Sequence, residues 1–165
     1  MATKKTYSPI GRLGAKYGWA GISPVDFTKR MKLASARFLA LREELGFDAI
    51  AFCGSSGCAI AFSLATKHNI PLIYVRKRNE SSHSSAKVEC NDSATEVKKY
   101  LIVDDFVDQG STVNHIVTSI KKYARSVAAY PAKPVGVLCF DPYVDRDRTM
   151  QTSTVLLKLF TVDTA

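Results

Sequence analysis

Asp104 and Asp105 close the apolar run Tyr100-Leu101-Ile102-Val103, and a short loop leads from them to Ser111-Thr112. Four apolar residues bounded in this way predict a buried strand, and Ser-Thr before a periodic stretch predicts a helix start. Such a strand-loop-helix turn aims several backbone N–H groups and a helix N-terminus at one spot, which suits a phosphate. Two carboxylates touching that phosphate would repel it. Set a little way off, they suit a neutral partner such as a sugar diol. A loop that takes phosphate at one end and hydroxyls at the other is a ribose-5-phosphate cradle. The bland alternative is a buried strand, an Asx-type turn and a capped helix, with the carboxylates solvated.

A second anion site is predicted at Gly54-Ser55-Ser56-Gly57, which follows a strand and opens a helix. It has neither the Lys-Ser/Thr of a P-loop nor the full G-x-G-x-x-G of a dinucleotide fold, which counts against ATP and NAD. Taken alone it is equally a tight turn of small residues. The chain carries 23 basic and 15 acidic residues, a net +8, which fits nucleic acid or a polyphosphorylated small molecule. Among its basic clusters only Arg76-Lys77-Arg78 falls at a strand end, where α/β proteins place ligands. His83 and Lys87 are candidates in the polar segment beyond, whereas His68 and His115 sit in helical patterns and read as structural. No cluster has zinc-ligand spacing. Cys53, Cys58, Cys90 and Cys139 form no C-x-x-C pair and read as buried thiols of a reducing cytoplasm.

The elements that must position these residues alternate. Ser23-Pro24-Val25-Asp26 opens a helix whose apolar face is Phe27, Met31, Ala34, Phe38, Leu41 and Leu45, ending at Gly46. Strands follow at 48–53 and 71–75, separated by a helix over 58–68. The segment 77–98 is Ser-rich and aperiodic, with only 86–89 suggesting an extended piece; loops this long are usually functional. The Asp-Asp strand, a helix over 112–124 and strands at 135–139 and 154–162 complete the chain, with 141–148 a charged loop. This predicts one α/β domain with a parallel sheet covered by helices on both faces. Right-handed crossovers put the second strand on one side of the first and the Asp-Asp strand on the other. The two candidate loops then face each other across the point where strand order reverses. No stretch reaches the ~20 apolar residues that cross a bilayer, and the basic N-terminus is not a secretory signal.

Leu101-Ile102-Val103-Asp104-Asp105-Phe106-Val107-Asp108-Gln109-Gly110-Ser111-Thr112 resembles the signature of the type I phosphoribosyltransferases: an apolar strand, two acidic residues, two apolar residues and a run ending Thr/Gly-Gly-Thr. Gln109 stands where Thr is usual, and Ser111, which lacks glycine's conformational freedom, where the second Gly is usual. Val75-Arg76-Lys77 is similar to the start of the mobile catalytic loop in adenine and orotate phosphoribosyltransferases. The resemblance implies transfer of a phosphoribosyl group from phosphoribosyl pyrophosphate to a nitrogenous base, with pyrophosphate released. It places the 5-phosphate on Asp108, Gln109, Gly110, Ser111 and Thr112, and the ribose hydroxyls on Asp104 and Asp105. Pyrophosphate falls to Gly54, Ser55, Ser56, Gly57, Arg76 and Lys77. Asp108 and Lys77 are the implied catalytic groups, and a carboxylate at 108 tilts the choice toward a purine over orotate.

Mg²⁺, held mostly by ligand oxygens, is the implied cofactor, and a cytoplasmic homodimer with no membrane or nucleic-acid partner the implied setting. The core spans about 24–140, and 1–23 with 141–165 are expected to form a small hood over the base. Tyr17, Trp19, Phe106, Phe140 and Tyr143 are candidates to stack on that base. The alternatives are a non-catalytic regulator that binds the same sugar phosphate and a degenerate accessory protein. The regulator stands second, since 165 residues leave little room for an added DNA-binding module.

Overall fold

The computed structural model describes residues 24–80, 86–91, 96–127, 129, 131–140 and 147–162. Its elements are α1 (Pro24–Leu45), β1 (Ala49–Cys53), α2 (Gly54–His68), β2 (Leu72–Val75), β3 (Val88–Cys90), β4 (Lys99–Asp104), α3 (Ser111–Ser126), β5 (Lys133–Cys139), β6 (Arg148–Gln151) and β7 (Leu156–Thr161). They form one seven-stranded sheet in the order β3-β2-β1-β4-β5-β7-β6. The five inner strands are parallel, and the two edge strands, β3 and β6, run antiparallel to their neighbours.

Period-two alternation sends the side chains of each inner strand to opposite layers. Ile50 and Phe52 of β1 and Leu101 and Val103 of β4 meet Ala34, Phe38 and Leu41 of α1 and Ile60, Ala61 and Leu64 of α2. Ala49, Ala51 and Cys53, with Tyr100 and Ile102, meet Val113, Ile116, Val117 and Ile120 of α3 on the other face. The α1 stripe expected from the sequence is the one buried, with Phe27, Met31 and Leu45 packed at its margins. Helices on both faces and a strand-order reversal between β1 and β4 match the sequence expectation.

Three features differ from it. The sheet is mixed, because both edge strands run antiparallel to their neighbours; one of them, 88–90, returns along β2. Residues 148–151, of which only Arg148 belonged to the expected charged loop, form an edge strand paired to β7; three of the four are exposed, so the segment carries no apolar signal. The sheet continues to 161 through β7, which falls within the last strand expected at 154–162. Finally, α2 begins at Gly54, so the Gly-Ser-Ser-Gly turn is the helix's own first turn. The hood segments 1–23 and 141–146, with Tyr17, Trp19 and Tyr143, lie outside the described residues. Among those described, no helix is long and apolar enough to cross a membrane.

Candidate functional site

β1 and β4 are parallel neighbours, Ala51 opposite Ile102, so the chain leaves both strands on the same side of the sheet. α2 starts at once beyond β1, whereas β4 runs through the 105–110 loop before α3. Gly57 is what lets the two exits touch. A Cβ there would lie 2.9 Å from the Val103 carbonyl oxygen and 3.8 Å from the Asp104 Cα. Only hydrogen allows the first turn of α2 to rest on the end of β4.

The loop after β4 bounds a concavity of about 310 Å³ lined by Asp104 and by Phe106 to Val113. Gly110 is the N-cap of α3, with φ 74° and ψ 16°. The left-handed residue that the loop requires is therefore Gly110, and Ser111 is an ordinary first residue of the helix. The departure from the usual glycine at 111 costs the loop nothing. Asn114 N–H donates to the Gly110 carbonyl at 2.8 Å as the first turn closes. The N–H groups of Ser111, Thr112 and Val113 precede the first helical donor and point out of the helix end.

Asp104 and Asp105 are both buried. Asp104 shares the parity of Tyr100 and Ile102, so its side chain turns to the α3 layer and lines the concavity. Its Oδ1 accepts the Asp105 backbone N–H at 3.0 Å. Burial, then the charge of Asp105, push the Asp104 carboxyl well above the usual carboxylate range, and Lys77 pulls partly back. A carboxyl that keeps its proton near neutral pH can donate as well as accept, which suits vicinal hydroxyls. Cys53, adjacent on β1, is pushed up to about 11 by burial and then by Asp104, so it is an inert thiol there.

Lys77 lies across the start of α2. A Cβ on Gly54 would fall 2.2 Å from its Cε and 3.1 Å from its Nζ. A small turn sets it in place: Glu80 N–H donates to the Lys77 carbonyl at 3.1 Å, and Lys77 N–H donates to Glu80 Oε2 at 3.0 Å. The Tyr74 hydroxyl donates to the other Glu80 oxygen. Arg76 is engaged elsewhere. Its guanidinium donates to Glu89 at 2.7 Å and to the Ala86 carbonyl at 3.2 Å, and it lies 5.1 Å from the Tyr74 ring centroid. In this arrangement Arg76 splints the β2–β3 hairpin, and Lys77 is the cation beside the α2 turn and the acidic pair.

Gly54 and Gly57 are buried and Ser55 is exposed; the side chain of Ser56 and all of His83 lie outside the described residues. Lys87 accepts the Arg76 N–H on its carbonyl at 3.0 Å, closing the neck of the 76–87 loop. His115 is structural, as expected: its Nε2 pairs with the Arg76 carbonyl at 2.8 Å, tying α3 to the root of that loop. Asp108 and Gln109 are exposed on the rim of the concavity, and Phe106 there is 40% exposed. Phe140 is a correction. It is 1% exposed, packed 5.8 Å from Phe27, and belongs to the core because it continues the inward register of β5. Two participants went unread in the sequence. Glu80 could have been found from its turn spacing to Lys77. Arg148, on a strand without apolar pattern, gave no signal; it hydrogen-bonds to the Val107 and Asp108 carbonyls of the loop after β4. A larger, mainly apolar cavity of about 480 Å³ opens beside Gly54 and Ser55, walled by Phe52, Phe62 and Tyr74. It adjoins the site without reaching the acidic pair.

No family model matches the chain. It is 26% identical over 141 residues to the purine biosynthesis transcriptional repressor PurR of Bacillus subtilis (strain 168), covering 76% of this chain and 47% of the repressor. The chain thus spans about half the length of that curated relative. Among solved structures it superposes on orotate phosphoribosyltransferase from Aeropyrum pernix with a TM-score of 0.56, at 15% identity over 84% of this chain and 72% of that one. It also superposes on an adenine phosphoribosyltransferase with a TM-score of 0.52, at 17% identity over 81% and 79% of the two chains.

Proposed function

We propose that this chain, whose fold is that of the type I phosphoribosyltransferases, binds phosphoribosyl pyrophosphate in the β1/β4 crevice and transfers its phosphoribosyl group to a nitrogenous base. One observation carries the reading. Two turns with glycine at positive φ, Gly54 (+66°) and Gly110 (+74°), flank a buried acidic pair, and Lys77 lies over the first. Two anion cradles separated by a diol-binding pair have the layout of a sugar that bears phosphate at one end and pyrophosphate at the other.

In this reading the backbone of Asp108 to Thr112 holds the 5-phosphate, Asp104 and Asp105 hold the ribose hydroxyls, and the Gly54–Gly57 turn with Lys77 receives pyrophosphate. Arg76 would join only by exchanging Glu89 for the ligand. The bond from the anomeric carbon to pyrophosphate oxygen breaks as the bond to a base nitrogen forms. Positive charge grows on the ribose ring and negative charge on the leaving group, where Lys77 is best placed to stabilise it. The base gives up a proton, and the exposed carboxylate of Asp108 is the group proposed to take it from a purine. Mg²⁺ fits the donor set. Asp104 and Asp105 offer hard oxygens whose mutual repulsion a cation would relieve, and the ion would supply charge neutralisation to the pyrophosphate. A homodimer remains part of the proposal.

A second reading is a regulator that binds the sugar phosphate without turnover. It is favoured by the relative named as a transcriptional repressor, by the net charge of +8 and by the engagement of Arg76 with Glu89. The deciding experiment incubates the protein with phosphoribosyl pyrophosphate, Mg²⁺ and each of several purines, pyrimidines and orotate, following pyrophosphate release beside calorimetric binding. Release with one base establishes the transferase. Binding without release for any base, together with salt-dependent binding of DNA or RNA, establishes the regulator.

A further inference from the structure

We propose that Arg148, on edge strand β6, is a positioning residue for the phosphate loop, and that the β6–β7 hairpin is thereby part of the ligand site. The inference rests on the 5-phosphate role given above to Asp108–Thr112.

Arg148 Nη2 donates to the Val107 carbonyl at 2.8 Å and lies 3.4 Å from the Asp108 carbonyl. It is not among the residues that line the concavity, so it grips the loop from outside. In a planar trans peptide the C=O and the following N–H point in opposite directions. Drawing the carbonyls of Val107 and Asp108 toward Arg148 turns the N–H groups of Asp108 and Gln109 the other way, to the side where the concavity opens. A cation on the carbonyl side also polarises those peptides, making their N–H groups better donors to an anion.

Two further contacts from the same hairpin act on the same loop. The Met150 side chain packs on Gly110, where an added Cβ would lie 2.2 Å from its Cε. Ser153 donates to Asn114 Oδ1 in the first turn of α3, from its N–H at 2.9 Å and its hydroxyl at 2.8 Å. The hairpin is itself anchored. Asp147 pairs with Arg37 of α1 at 2.8 Å and accepts the Thr161 N–H at 3.1 Å. The brace is therefore tied to the body of the domain and can hold the loop in its binding shape before a ligand arrives, which lowers the ordering cost of binding.

The test uses the Arg148→Ala and Arg148→Lys variants, with ribose 5-phosphate and inorganic pyrophosphate as separate probes. Losing a charged hydrogen-bond donor that orders the loop should weaken ribose 5-phosphate by about tenfold in the Ala variant while pyrophosphate changes by less than about twofold. Arg148→Lys, which restores one charged donor, should recover part of the loss. Amide hydrogen exchange in the ligand-free proteins supplies a readout independent of any ligand. It should rise at 107–111 in Arg148→Ala and stay unchanged at 54–58. Unaltered exchange at 107–111, or equal weakening of both probes, would overturn the proposal. Binding of neither probe to the wild type, with exchange at 107–111 still rising in Arg148→Ala, would leave the loop brace standing and reject the phosphoribosyl reading on which its ligand role rests.

Discussion

Asp104→Asn should make the protein more stable at alkaline pH while removing its affinity for phosphoribosyl pyrophosphate. Asp104 is 4% exposed, and burial followed by the charge of Asp105 raises its carboxyl from 3.8 to about 8. A carboxyl raised in this way holds its proton in the folded protein after the unfolded chain has released it. Its contribution to stability is therefore full below 3.8 and is lost as pH climbs through the folded value. Holding an ionised carboxylate at a buried position costs several kcal/mol even after relaxation and water entry, so the loss is on the order of 3 kcal/mol. Asparagine keeps the shape and the oxygen that accepts the Asp105 N–H, and it does not ionise. In a domain of this size about 3 kcal/mol moves Tm by about 6–12 °C. Thermal melts of both proteins from pH 4 to pH 9 should start close together and diverge, with the variant higher. A difference that stays flat with pH, or a wild type that gains on the variant as pH rises, would refute the reasoning. Calorimetry with the sugar phosphate completes the test: a residue that lowers stability in the free protein has its justification in the ligand, so retained affinity would remove its assigned role.

Gly57→Ala should cost about 1–3 kcal/mol in denaturant unfolding, because the new methyl meets the immovable Val103 carbonyl oxygen. The same variant should lose pyrophosphate affinity more than ribose 5-phosphate affinity, and the opposite order would separate the α2 turn from the pyrophosphate role. Lys77→Ala should lower turnover by about two to three decades with little change in substrate affinity if the protein is a transferase. Steady-state kinetics beside direct binding check this, and a change in binding alone would favour the regulator. Alkylation of the folded protein at pH 8, followed by mass spectrometry, should modify the exposed Cys90 first. Cys53, buried and raised to about 11, should react only on unfolding. Equal rates at the two positions would contradict the burial of the β1 end.

The chemistry-bearing strand, its helix and the reversal of strand order were legible in the sequence because each rests on local pattern. Tyr100–Val103 is a continuous apolar run, Ser111-Thr112 starts an amphipathic helix, and strand-helix-strand succession carries its own handedness. Those three facts suffice to bring Gly54 and Asp104 to one crevice. Edge strands escaped because one or both faces meet water: β3 has three residues, and β6 is mostly exposed. Roles that depend on what lies opposite were decided by tertiary structure alone. Neighbouring cations at 76 and 77 look equivalent in sequence, but Glu89 across the β2–β3 hairpin holds one while the α2 turn seats the other. Gly57 reads as a turn residue, yet its absent Cβ is needed by the Val103 carbonyl, 46 positions along the chain. The same holds for Arg148, whose partners are main-chain oxygens, groups every residue carries and no side-chain pattern can mark.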